Sequence, residues 1–287
     1  MKAQRTLDAI NAALEAAQER EHRSHLGASI LGRKCAREIW YHFRWAAKEL
    51  FEGRMLRLFD RGQREEERFA EWLRMAGAEV WTHDETQPRK PDGTFPQYRI
   101  SGWGGHFGGS LDGVGRGIPD LPPGTPFLCE FKTHNDKSFK VLVEDGLCAS
   151  KPEHFAQCQT YMFRMGLPWA LYLGINKNDD SIFPELIQAN PTEGERLFNR
   201  AGEIINSETP PPRIATSPRM IAYACRFCTF KDICHGGADP EHNCRTCQFS
   251  RLGDGGKWFC GVFNAELSKD AQHAGCQSWK LKNGFKA

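Results

Sequence analysis

The 287-residue sequence has no long hydrophobic run. Its apolar stretches fall well short of the roughly 18 residues that a membrane span needs, which excludes a transmembrane helix. The N-terminal stretch MKAQRTLDAINAALEAAQER has no continuous apolar core, so no secretory signal is expected there. Net charge is also small. Lysine and arginine total 38 against 36 acids, giving +2, so the overall balance announces no polyanionic partner. Internal repeats and low-complexity tracts are missing, and 40% hydrophobic with 26% charged residues excludes collagen-like, coiled-coil and wholly disordered chains.

Two features stand out against this background. The first is local charge. Between Arg23 and Arg64 ten basic residues face four acids, an excess of six positive charges. Arg33, Lys34, Arg37 and Arg44 are candidates for contacts to nucleic-acid phosphates, with an ordinary solvated helical face as the alternative. The second is cysteine. Eleven is an odd number in a chain too large to need disulfide staples, which points to thiolates used as metal ligands in a cytoplasmic setting.

Hydrophobic periodicity predicts an amphipathic helix over residues 6–20, with Leu7, Ile10, Leu14 and Ala17 on one face. A second helix is expected from a Ser29 cap through Cys35, Ile39 and Phe43, and a third over 48–76 with Leu58, Phe69, Leu73 and Met75 on its apolar face. Short strands separated by Gly and Pro turns follow near 79–83, 97–101, 107–114 and 126–133. Helices are expected at 137–145 and 152–166, then strands in WALYLGINK and SIFPELIQA, then a helix at 191–206. SETPPPRIATSP reads as a linker, and the tail 221–287 holds seven of the eleven cysteines. The order implies a mixed α/β (α+β) core with a cysteine-rich C-terminal region.

Four acidic or polar pieces occur in order. Glu66 falls three residues before Phe69 on the apolar side of its helix, with Glu65 and Glu67 pointing elsewhere. Asp112 sits in a short strand among glycines, in GGSLDGVG. In FLCEFKT, alternation puts Glu130 and Lys132 on one face and Phe131 on the other. Gln157 and Tyr161 lie one helical turn apart. Each has an ordinary reading as a helix-edge acid, a turn aspartate, a chance E-x-K or a polar helix border. Together, carboxylates from a helix and two strands can converge on a hard divalent cation such as Mg²⁺ or Mn²⁺. A lysine beside that cation can orient or deprotonate an attacking water, which is the equipment for phosphodiester hydrolysis.

From about residue 29 to 235 this pattern resembles the PD-(D/E)XK nucleases, most closely the RecB-type recombination exonucleases of bacteria and phages. The shared elements are Gly62-x-x-x-Glu66, Asp112, Glu130-x-Lys132 and Gln157-x-x-x-Tyr161, with EFKTHNDKSF and KPEHFAQCQTYM similar to phage-encoded members. The resemblance implies a restriction-endonuclease-like core, a mixed central sheet flanked by helices. It implies Asp112 and Glu130 as metal ligands with the Phe131 carbonyl, Lys132 serving the water, and Glu66 completing the metal shell directly or through water. Gln157 and Tyr161 would position the DNA backbone or the acids. Many RecB-type members carry His where Glu66 stands. The activity implied is metal-dependent exonucleolytic hydrolysis at linear duplex or single-stranded DNA ends in recombination and repair. A single-strand annealing or recombination protein would be the partner, in the bacterial host cytoplasm if the chain is phage-encoded.

Cys225-x2-Cys228-x5-Cys234 is a dense thiolate set that needs a fourth ligand. Some nucleases of this kind resemble its layout, with one cysteine before the core and three after it holding a [4Fe–4S] cluster. That likeness implies Cys35, in CAREIWY, as the fourth ligand. The competing reading is zinc with His235, leaving Cys35 a core thiol. Cys244-x2-Cys247-x12-Cys260-x15-Cys276 suggests a zinc ribbon. Cys129, Cys148 and Cys158 read as small buried hydrophobes, and His134 as a loop residue able to touch DNA. The domain expectation is thus an N-terminal helix in 1–28, a nuclease domain over 29–235 closed by the iron–sulfur staple, and a four-cysteine zinc-ribbon-like tail over 240–287. The alternatives are a non-catalytic Fe–S and zinc DNA-binding subunit of a recombination complex, and a redox sensor.

Overall fold

The structure, a computed structural model, describes residues 2–18 and 22–285. The chain divides into two compact units that interleave along the sequence. One comprises residues 1–19, 50–100 and 109–197; the other comprises 20–49, 101–108 and 198–287. Among the described residues no helix is long and apolar enough to cross a membrane.

The first unit is built on a five-stranded sheet. Its order is Glu79–Trp81, Gly113–Arg116, Phe127–His134, Trp169–Asn176, Ile182–Gln188. The Phe127–His134 and Trp169–Asn176 strands run parallel, and every other neighbouring pair is antiparallel. A parallel pair needs a crossover, supplied here by the helices Asp136–Ser150 and Pro152–Met165. Asn135 caps the first of these by accepting the Ser138 N–H at 2.9 Å, and Gly146 (φ 70°) breaks it before its last turn. Pro152 opens the second and left-handed Gly166 closes it. The result is the expected mixed α/β architecture, a mixed central sheet flanked by helices and consistent with a restriction-endonuclease-like core.

The long helix Gly53–Met75 packs on one sheet face. Phe69 and Ala70 are buried there with Val80, Phe127, Cys129, Phe131, Leu171, Leu173 and Ile175. Phe69 stacks on Phe131 with ring centroids 5.0 Å apart, which fixes the helix over the strand that carries Glu130 and Lys132. Met75, expected on this face, is 85% exposed at the helix end. The N-terminal helix is Gln4–Ala17 and buries none of its residues, with Leu7 and Ile10 exposed; the expected residues 19 and 20 lie outside the described residues.

In the second unit the expected Ser29-capped helix begins later, at Ala36, and ends at Phe43. Ser29 lies in a short 3₁₀ turn and Cys35 occupies the N-cap position. The helices Pro218–Ala224 and Lys231–His235 follow the proline-rich stretch. The tail forms a three-stranded antiparallel sheet, Ser250–Leu252, Trp258–Cys260 and Ala265–Leu267 with the middle strand central, and a short helix Lys269–Ala274. The last two residues of the expected 240–287 tail lie outside the described residues.

Candidate active site

Glu66, Asp112, Glu130, Lys132, Gln157 and Tyr161 all belong to the first unit; the sheet explains how the last five come into contact, while Glu66 reaches them only through its charge. The expected strand over 107–114 is two strands, Phe107–Ser110 and Gly113–Arg116, broken at Leu111 and Asp112. Gly113 pairs with Cys129, so the next backbone acceptor for the Phe131 N–H would come from Leu111. The chain has turned away by then, and the Leu111 N–H donates to the Tyr98 carbonyl. The Asp112 carboxylate takes the vacated place and accepts the Phe131 N–H at 2.8 Å. The strand break therefore aims the aspartate at Glu130 and Lys132.

Alternation along Phe127–His134 holds as expected: Cys129 and Phe131 enter the apolar cluster and Glu130 faces away from it, fully buried. The Lys132 ammonium bridges the two carboxylates, 3.5 Å from Asp112 Oδ2 and in closer contact with Glu130 Oε1. It also donates to the Phe131 carbonyl at 3.0 Å. The Gln157 side-chain amide donates to Glu130 Oε2 at 3.2 Å and lies 3.5 Å from the Tyr161 hydroxyl. Glu130 Oε1 is buried and makes no regular hydrogen bond beyond its ion pair. Burial pushes the Glu130 carboxyl up to about 8 against the pull of Lys132. Glu66 is raised to about 7 by burial and by Asp112. Lys132 is held firmly protonated by Asp112 and Glu130 despite its burial. Glu65, expected to point elsewhere, is the buried one of the two, with both carboxylate oxygens 2.8 Å from Arg68 Nη1, whereas Glu66 is only half-buried.

Two side chains near Lys132, His154 and Tyr172, escape the sequence reading, and a third, His134, is placed otherwise than expected. The Tyr172 hydroxyl lies 2.9 Å from His134 Nε2 and 3.0 Å from His154 Nδ1, and His134 Nδ1 lies 3.1 Å from the Ser138 hydroxyl. His134 is thus a buried strand residue and not a DNA-facing loop residue. His154 was findable, one turn before Gln157 on the same helix; Tyr172 becomes a neighbour of Glu130 only through the parallel register. Burial is the main force lowering both imidazoles, His134 to about 4 and His154 to about 3. The unfolded chain takes up these protons below about 6.5 and the folded chain does not. Their contribution to stability is therefore complete above about pH 6.5 and fades as the pH falls toward about 4, by up to roughly 3 kcal/mol per histidine. Melting curves across that window should fall more steeply for the parent than for His154→Leu; parallel curves would show that the imidazole is protonated in the fold.

Of the four candidate phosphate contacts in the second unit, two are structural. Arg44 is 1% exposed, its guanidinium over the rings of Trp40, Phe43 and Trp258. Arg37 is buried and donates to the Pro211 carbonyl at 2.6 Å and to the Tyr41 hydroxyl at 3.2 Å. Packing has taken both arginines out of reach of a phosphate backbone. Arg33 pairs with Glu38 at 2.6 Å, and Lys34 is exposed. In the first unit Arg61 donates to the Lys177 carbonyl at 3.3 Å, and Arg54 and Arg61, after burial, push the Lys177 ammonium down. The Lys177 N–H is bonded to the His134 carbonyl at 2.8 Å, which places this cationic group at the end of the site strand.

The cysteines gather into two cavities of the second unit. Cys35, Cys225, Cys228 and Cys234 line one, with His235 Nε2 3.8 Å from Cys225 Sγ. Cys244, Cys247, Cys260 and Cys276 line the other. Burial first, with neighbouring negative groups adding to it, pushes Cys228 up to about 12 and Cys244 up to about 11, so both are protonated near neutral pH when no cation is bound. Cys129 and Cys158 are buried as expected, whereas Cys148 is exposed. Among the described residues, no group of three or more His, Cys, Asp or Glu side chains stands close enough to hold a metal ion as placed.

No family model and no curated protein matches this sequence. Among solved structures, an alkaline exonuclease from Laribacter hongkongensis aligns over 69% of this chain and 90% of its own, at 18% identity and a TM-score of 0.43. The same exonuclease in complex with dAMP gives a TM-score of 0.42 over the same shares at 18% identity. The protein SSO0001 aligns over 80% of this chain and 96% of its own, at 16% identity and a TM-score of 0.44. Likeness at this level assigns no activity to the chain.

Proposed function

We propose that the first unit is a metal-dependent nuclease that hydrolyses DNA phosphodiester bonds, working as an exonuclease at DNA ends in recombination or repair. The observation that carries this reading is the convergence of Asp112 and Glu130 on Lys132, with Asp112 aimed by the strand break. The donor set is all oxygen, and it includes a buried carboxylate oxygen without a regular hydrogen bond, which suits a hard cation. Asp112 and Glu130 would hold Mg²⁺ or Mn²⁺ with the Phe131 carbonyl, and Glu66 would border it directly or through water. A cation bound there would polarise the scissile phosphate and acidify water.

The chain's own residues supply the rest. Lys132, kept protonated between two carboxylates, is suited to donate to the water or the phosphate oxygen rather than to accept a proton. Gln157 fixes the orientation of Glu130, and Tyr161 backs Gln157. Arg61 and Lys177 would meet the backbone of the strand being cut. Alanine at either should weaken binding at every sequence alike and lower the slope of log affinity against log salt by about 1; an unchanged slope would remove that residue from the DNA path. The eight clustered cysteines would hold a [4Fe–4S] cluster on the Cys35 set and zinc on the Cys244 set.

The direct test is incubation of protein purified without oxygen with end-labelled linear DNA, in Mg²⁺, in EDTA, and as Lys132→Ala. Progressive shortening that needs Mg²⁺ and is lost in the variant is expected. A folded parent protein that cuts nothing in any metal would instead favour a DNA-binding subunit.

A further inference from the structure

The segment from Thr209 to Lys231 contains Arg213, Arg219, Arg226 and Lys231 and no acidic residue. Within it Tyr223 is 89% exposed and Phe227 87%, far more than most of the chain's aromatics. Burial of apolar surface is the main drive for folding, so two nearly bare aromatic rings four residues apart call for an explanation. Local mobility does not supply it, because the segment is pinned at both ends. Ser217 caps the Pro218–Ala224 helix by accepting the Met220 N–H, and the Cys225 N–H closes on the Ile221 carbonyl at 3.1 Å. Beyond Phe227, Cys228 faces the cysteine-lined cavity, and Phe230 is fully buried against Tyr41 and His42. The rings are thus presented on a fixed base. Arg219 and Tyr223 are one turn apart on the helix, and the Arg226 guanidinium stands 5.1 Å from the Phe227 ring centroid.

We propose that Tyr223 and Phe227, flanked by Arg219 and Arg226, form a stacking platform for the unpaired bases of a single DNA strand. Every base offers a π-face, so aromatic stacking tolerates any sequence, and the arginines meet the backbone between bases. An apolar protein partner is the poorer fit: the rings alternate with cations on a stretch with no acid of its own, the Glu49 carboxylate meeting it only at Thr229, and this complements a polyanion. The choice of DNA over another polyanion rests on the nuclease reading of the first unit, whereas the binding test below does not need cleavage.

The experiment measures fluorescence anisotropy of a fluorescein-labelled oligothymidylate with the full-length protein, purified without oxygen and with no divalent cation added. The parent is compared with the double variant Tyr223→Ala, Phe227→Ala and with the conservative double variant Tyr223→Phe, Phe227→Tyr. Stacking contributes on the order of 1–3 kcal/mol per base, so the alanine variant should bind at least about 30-fold more weakly, and the aromatic swap should bind like the parent. Both positions are exposed, so the melting temperature should stay put. In addition, the fluorescence of a Tyr223→Trp variant should be quenched by the single strand. Equal affinity of parent and alanine variant would overturn the platform, and so would an alanine variant that changes only the protein's own association state. Loss of binding in the alanine variant, combined with a parent that never cuts DNA in Mg²⁺, would leave the platform standing and remove the nuclease reading.

Discussion

Replacing Glu130 by Gln should cut Mg²⁺-dependent cleavage by orders of magnitude and at the same time raise the melting temperature in EDTA at about pH 8. The two effects have one cause. Glu130 is fully buried, and its carboxyl is pushed up to about 8 by that burial, with Asp112 and Glu66 adding further negative charge. A folded pKa above the unfolded value, about 4.5, means that the unfolded chain releases this proton first. Stability is therefore complete below about pH 4.5 and declines as the pH rises toward about 8. Glutamine has no proton to release and keeps an oxygen for the Gln157 amide, while Lys132 retains Asp112. The gain should show as a melting temperature raised by several degrees. Cleavage should fall on the order of 10³-fold, because on the proposed reading the missing charge is one that would hold the cation. A variant that cuts at the parent's rate would take Glu130 out of the machinery. A variant that melts lower would show that its charge is worth more to Lys132 than its burial costs.

The contrast between what the sequence announces and what it hides follows the range of the interactions. Glu130 and Lys132 are legible because alternation along one strand is a local property, and the apolar neighbours Leu128, Cys129 and Phe131 declare that strand buried. Gln157 and Tyr161 are legible for the same reason on a helix. Asp112 is legible as a residue but not as a geometry: its aim depends on the Leu111 N–H leaving the ladder for Tyr98. Tyr172 is invisible because nothing in WALYLGINK distinguishes it until a parallel register sets it beside Glu130. Arg37 and Arg44 fail for a related reason. Counting charge cannot separate an arginine on the surface from one buried on tryptophan rings by partners far along the chain, and Trp258 is 214 positions from Arg44. Helix boundaries moved where a local competitor existed: Ser29 lies in the 3₁₀ turn Ala28–Ile30, and the true helix starts after Cys35.

The largest effect on stability should come from the cysteines. Protein purified without oxygen is expected to carry iron with acid-labile sulfide and also zinc. Cys228→Ser should strip the iron and Cys247→Ser the zinc, each without disturbing the other metal, because the two sets line separate cavities. Cys35 stands 190 positions before Cys225, so a cluster spanning them closes a long loop and removes about 4–5 kcal/mol of freedom from the unfolded chain. The metal–thiolate bonds add to this, less the cost of displacing the proton from a thiol raised to about 12, as at Cys228. Loss of the cluster should therefore lower the melting temperature of the second unit by about ten degrees or more, the order set by that loop closure. The rival zinc site makes the opposite demand on two side chains. With iron, Cys35→Ser should lose the metal and His235→Ala should keep it. With zinc on Cys225, Cys228, Cys234 and His235, the outcome reverses: His235, 3.8 Å from Cys225 Sγ, becomes indispensable and Cys35 becomes a spectator. Metal analysis of those two variants decides between the readings. A protein that binds neither metal while still folded would show that these eight thiols are packing groups.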